Sequence, residues 1–167
     1  MTIRACLPWP HPMLKTPAAA VTEITDDIRR FWQDMVDTME AMPGYGLAAV
    51  QIGIPLQLAV VDASPERGQA ILMANPQILL ASTQMRDHDE ASPNLPGVSA
   101  TITRPRAVTV RYMTAEGAQE DRDFVLLWAT SVQHQIDHLA GRMYFDNLSP
   151  LKRRTLLNRA QKVQRRG

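Results

Sequence analysis

The chain has 167 residues, enough for one domain with a real core. Its 45% apolar and 21% charged content are those of an ordinary soluble globular protein, and no stretch approaches the ~18 consecutive apolar residues of a membrane span. The net charge of +1 hides an uneven split: residues 151–167 carry seven basic side chains and no acid, leaving a balance of −6 on residues 1–150. The single Cys6 excludes an internal disulfide and fits a reducing compartment. The N-terminus is interrupted by Pro8, Pro10, Pro12 and Pro17 rather than laid out as a signal peptide, so the expected location is cytoplasmic.

Taken in order, residues 1–24 read as an extended, proline-punctuated surface segment. Thr25-Asp26-Asp27 supplies a capping side chain and first-turn acids, opening a helix whose buried stripe is Ile28, Phe31, Trp32, Met35 and Met39. Pro43 and Gly44 end it. The glycine-rich run Gly44–Gly53 reads as a tight turn leading into a strand. It lacks the spacing of a dinucleotide fingerprint.

Strands are expected over 57–62, 70–73 and 77–82, with a turn at 64–68. Two more are expected over 98–103 and 107–114, split by Arg104-Pro105, and 115–117 is a turn. A helix is expected from about Asp123 to Leu139, with Gly141 just past its end. Val125, Trp128, Val132, Ile136 and Leu139 would pack it. Ser149-Pro150 begins a last helix, docked through Leu156, Ala160 and Val163. Strands in the middle with helices at both ends make an α+β fold, one domain over 1–167.

The chemistry centres on residues 131–141. His134 and His138 lie four apart, so on a helix both imidazoles leave one face and can share one transition metal. Leu127 and Ser131 are on that face too. A pair is at most half of such a site, and a lone helical pair is more often structural. The usual helical zinc motif has Glu after the first His, as general base; here that residue is Gln135, whose amide takes up no proton at neutral pH.

Three separated segments resemble the three signatures of the peptide deformylases, metal hydrolases that remove the formyl group from nascent chains. They are Gly44-Tyr45-Gly46-Leu47-Ala48-Ala49-Val50-Gln51, Glu90-Ala91-Ser92-Pro93-Asn94-Leu95-Pro96-Gly97, and Gln133-His134-Gln135-Ile136-Asp137-His138-Leu139-Ala140-Gly141. Pro10 to Leu14, Asn75-Pro76, Arg104-Pro105 and Leu148 to Lys152 echo the family as well. The resemblance implies a deformylase-like fold of mixed or antiparallel sheets around the His134/His138 helix, with a C-terminal helix.

The resemblance also implies roles. The family's middle signature is normally Glu-Gly-Cys-Leu-Ser-x-Pro, and its Cys is the third metal ligand; that position is Ser92, a poor ligand for Fe, Ni or Zn. The next residue donates its backbone N–H to the oxyanion, and here it is Pro93, which has none. Gln135 stands where the base stands. Gly46 and Gln51 occupy the substrate-binding positions, Gln51 toward the substrate carbonyl. Arg104 and Asp137 match a pair that steadies the helix, and Glu90 matches the family's own Glu in a structural role. His88 or Asp89 could be re-aimed as a replacement ligand.

The leading expectation is a deformylase homologue with lost or very weak activity. It would keep a pocket for a peptide N-terminus or small acyl group, and its divalent metal (Fe, Ni or Zn) would be weakly bound or absent. A second expectation is an active metal hydrolase with altered ligation, using Ser92 or waters. The third is a binding protein that meets nascent chains on the ribosome through the basic 151–167 tail. That hypothesis expects ribosome co-sedimentation that disappears at high salt and on deleting the tail; co-sedimentation surviving the deletion would remove it.

Overall fold

A computed structural model describes residues 2–166. The elements are α1 (Asp26–Ala41), β1 (Gly46–Ala48), β2 (Leu58–Val61), β3 (Ile71–Ala81), β4 (Met85–Ser92), β5 (Leu95–Pro105), β6 (Ala107–Met113), β7 (Gln119–Val125), α2 (Leu126–Leu139) and α3 (Pro150–Arg166), with short 3-10 turns at Pro12–Lys15, Ala49–Ile52 and Tyr144–Asn147. Five strands form one antiparallel sheet in the order β1-β2-β3-β6-β7, and β4 pairs with β5 in a separate hairpin. Helix α2 packs on β1, β2, β6 and β7 of the sheet and on β5 of the hairpin, so one face of it is presented to each. This is the α+β architecture the sequence implies.

The first helix forms as its sequence dictates. Thr25 Oγ1 accepts the N–H of Ile28 at 3.3 Å, and Ile28, Trp32, Met35 and Met39 are buried against the sheet with Leu47, Leu58 and Val60. Phe31 only borders that cluster. The last helix starts at Pro150 and docks on β5 through Leu156 and Ala160, while Gly167 lies outside the described residues. Val163 remains 37% exposed, yet it sits directly on the hairpin: a Cβ at Gly97 would come within 2.5 Å of its Cγ1.

Several boundaries depart from the sequence reading. Residues 123–125 are the end of β7, not the first turn of the helix; Thr109, Val108 and Ala107 pair with Asp123, Phe124 and Val125. The sheet register buries Phe124, and Thr109 Oγ1 donates to Asp123 at 2.6 Å, which outweighs the helical spacing. Val125 is consequently 55% exposed and lies outside the core. The chain turns into α2 at Leu126, whose φ of 53° is a conformation L side chains rarely adopt.

The runs 70–73 and 77–82 join into the single β3. One of its two irregularities falls at Asn75-Pro76, where Asn75 has a φ of 51° and its amide clasps Val21 N and O at 2.8 and 2.7 Å. Proline's missing N–H falls where the ladder is already interrupted. β5 likewise runs through Arg104 and Pro105, breaking only at Arg106. Strands β4 and β7 are too charged to announce themselves by apolar alternation. Nor is the N-terminal segment merely superficial: Leu14 is fully buried beside Tyr144, Phe145 and Leu156. The glycine-rich run becomes a short strand followed by a 3-10 turn, the reverse of a turn leading into a strand.

Candidate functional site

A cavity of about 510 Å³ opens between β1, β4 and α2. Gly46, Gln51, Ser92, Pro93, His134 and Gln135 all line it, so the fold collects six of the seven site candidates in one place. The seventh, His138, is fully buried behind His134.

The two imidazoles face each other with Nε2···Nε2 at 3.2 Å. Glu90 Oε1 lies 2.7 Å from His134 Nδ1, which places a proton on that nitrogen: Nδ1–H donates to the carboxylate and Nε2 is turned toward His138. Arg104 grips Glu90 with Nε and Nη2 at 2.7 and 3.0 Å and reaches Asp137 with Nη1 at 2.9 Å. Hairpin and helix are thereby locked by a buried network. Burial acts to raise the Glu90 carboxyl, but the bonds and charges of His134 and Arg104 outweigh it and hold it below its ordinary value. Burial, followed by the charges of His134 and Arg104, pushes His138 well below the usual imidazole range, so it is neutral. Tyr144 stacks on His134 at 5.8 Å, and burial with the nearby Glu90 charge raises its phenol to about 12.

The opposite wall is a closed set of hydrogen bonds. Gln51 Oε1 accepts from Ala48 N at 2.9 Å, while its Nε2 donates to Asn94 Oδ1 at 2.8 Å and, more loosely, to Ser92 Oγ at 3.4 Å. Ser92 Oγ donates to Asn94 Oδ1 at 3.0 Å. Asn94 Nδ2 donates to Leu7 O at 2.6 Å and Gln51 O at 3.1 Å. Asn94 is the residue that sequence reasoning left without a role. It stands where the family's middle signature has Ser, and its longer amide is what ties Gln51 and Ser92 together.

The donor set can be tested against a metal. Two imidazole nitrogens on one tetrahedral zinc would stand about 3.3 Å apart, close to the observed separation. A third ligand is what fails. Ser92 is a neutral hydroxyl already committed to Asn94, and Glu90 serves the other nitrogen of His134. Among the described residues no group of three His, Cys, Asp or Glu side chains could hold a metal ion. His88 stands in the cavity wall and Asp89 accepts from Thr101 Oγ1 at 2.6 Å, so neither joins the histidines. The residues present do not fit a tightly held resident metal.

Gln135 is 5% exposed, and its Oε1 has no hydrogen-bond partner among the described residues. Gly46 gives it room: a Cβ there would come within 2.6 Å of both Gln135 Nε2 and Ser131 Oγ. Those are ends of side chains that can shift, so Gly46→Ala should cost about 1–3 kcal/mol in urea unfolding. Gly141→Ala should cost more, because its Cβ would meet the backbone of Lys15 at 2.8 Å and its φ is +80°. The reverse order would contradict this account of the two sites.

A helix carrying two imidazoles four residues apart, one oriented by a buried carboxylate beneath a cavity, is the scaffold of a metal-hydrolase class. A model of the polypeptide deformylase family matches residues 3–154. The chain is 38% identical over 164 residues to the peptide deformylase of Phenylobacterium zucineum, covering 97% of each. The crystal structure of a peptide deformylase from Legionella pneumophila superposes with a TM-score of 0.90 at 33% identity, over 98% of this chain and 96% of that one. One from Ehrlichia chaffeensis gives 0.91 at 27% identity, over 98% of each. This chain belongs to the polypeptide deformylase family.

Proposed function

We propose that the protein binds the acylated N-terminus of a peptide in this cavity and releases it unaltered, its deformylase turnover lost or strongly reduced. The observation that carries the reading is the Gln51–Ser92–Asn94 network. It spends both N–H donors of Gln51 and the hydroxyl of Ser92 on the protein itself. Pro93 has no N–H for a developing oxyanion, and the Gln135 amide accepts no proton. What remains is binding: Gln135 Oε1 is a buried acceptor awaiting an N–H, and Met42, Tyr45 and Leu127 offer apolar surface around it.

A second reading, an active hydrolase with altered ligation, draws support from the facing imidazole nitrogens. Stoichiometric metal in protein purified without added ions would favour it. The primary test is calorimetric titration with formyl-peptides, followed by mass analysis of the recovered peptide and assay of formate. Saturable binding with the formyl group intact is the expected result, and steady formate release would overturn it.

A further inference from the structure

We propose that the end of this cavity between β4 and the first turns of α2 is a subsite for an acidic side chain, so that the preferred ligand is an N-acylated peptide whose first residue is Glu or Asp. This rests on the reading of the cavity as a site for an acylated N-terminus. On β4, the inward-facing residues alternate as Arg86, His88, Glu90 and Ser92. Glu90 and Ser92 belong to the network around the histidines; Arg86 and His88 do not.

Arg86 is half-buried and donates Nη1 to Thr130 Oγ1 at 3.0 Å, across the gap to α2. It makes no ion pair among the described residues. The neighbouring acids are turned away. Asp87 Oδ1 accepts from Thr103 Oγ1, and Asp89, although it borders the cavity, accepts from Thr101 Oγ1, both at 2.6 Å. The Glu90 charge is met by Arg104 and His134. A cation therefore stands next to the cavity with no charge of its own to answer.

His88 and Thr130 are both in the lining, and His88 Nδ1 is a buried atom with no partner among the described residues. An unpaired buried polar atom costs free energy that a ligand group can recover. The spacing suits one residue. Thr130 lies one turn of α2 from His134, about 6 Å along the axis. His88 lies two residues from Glu90 on β4, about 7 Å. A ligand held in the cavity at Gln135 can therefore meet His88 and Thr130 with the side chain of one residue, and Arg86 stands behind Thr130, bonded to its hydroxyl at 3.0 Å. A thioether or aliphatic tip would leave His88 Nδ1 and the Arg86 charge unanswered.

The test titrates the wild-type protein with three formyl-tripeptides that differ only in their first residue: Glu, Gln or Met. The Glu peptide is expected to bind about tenfold tighter than the Gln peptide, and tighter still than the Met peptide. Arg86→Gln should weaken the Glu peptide more than the Gln peptide and so remove the roughly tenfold difference between them. His88→Ile should raise affinity for the Met peptide. Equal binding of the Glu and Gln peptides would overturn the role of Arg86, and tightest binding of the Met peptide would overturn the subsite. In either case the cavity reading stands. Formate release with the Glu peptide preferred would overturn the inactive reading and keep the subsite. Binding of none of the three would remove both.

Discussion

The quadruple variant Ser92→Cys, Pro93→Leu, Asn94→Ser, Gln135→Glu is expected to release formate from formyl-Met and formyl-Glu peptides at least ~10⁴-fold faster than the wild-type chain, both loaded with Fe²⁺, Ni²⁺ or Zn²⁺. A general base is worth ~10²–10⁴ in rate and an oxyanion donor ~10²–10³, and such contributions do not simply multiply. The thiolate at position 92 should also bring metal content toward one ion per chain, a readout independent of turnover. Leaving Asn94 in place should blunt the gain. Its Oδ1 would still hold Gln51 Nε2 at 2.8 Å, keeping that amide away from a substrate carbonyl. Wild-type turnover close to the variant's would mean that another group performs the chemistry, and the proposed function would be wrong.

The largest stability effect is expected at Arg104. Arg104→Met should destabilise the fold by about 3–5 kcal/mol, read as a lowered midpoint in urea. Arg104 and Glu90 are both buried, and removing the guanidinium strands a carboxylate that has exchanged water for three charged hydrogen bonds. Asp137 loses its 2.9 Å partner on the same step. The Glu90→Gln, Arg104→Met double variant should recover part of the loss, because no buried charge is then left alone. Arg104→Lys should not rescue it, since an ammonium cannot bridge both Glu90 oxygens while reaching Asp137. A cost below about 1 kcal/mol for Arg104→Met would show that the network is not what joins hairpin to helix.

The sequence made the histidine face, the α1 stripe and the α3 start readable because each is a local pattern with a local cause. His134 and His138 needed only helical spacing, and Ser149-Pro150 only a cap. Strands β4 and β7 were not readable because their stability lies in pairing with β5 and β6. Their outward side chains are charged and meet Thr partners across the ladder, while inside β4 carries the Glu90 row and β7 only Phe124. The site was legible as a set of positions through the family resemblance. The role of Asn94 was not, since the four bonds of its side-chain amide go to Leu7, Gln51 and Ser92, and only the fold brings Leu7 and Gln51 within its reach. Glu90 illustrates the same limit: expected as structural, it also sets the tautomer of His134, and only the crossing of β4 over α2 reveals that.

The closed network on the cavity wall couples the positions that form it. Ser92→Cys alone replaces the hydroxyl donor to Asn94 with a weak thiol donor. Asn94→Ser alone abandons the buried carbonyls of Leu7 and Gln51. Each single substitution toward the family's middle signature thus passes through a less satisfied interior. The hydrogen bonds thus act as an interlock: residues 92 and 94 fit each other as a pair, and neither can be exchanged alone without leaving a polar group of the wall poorly met.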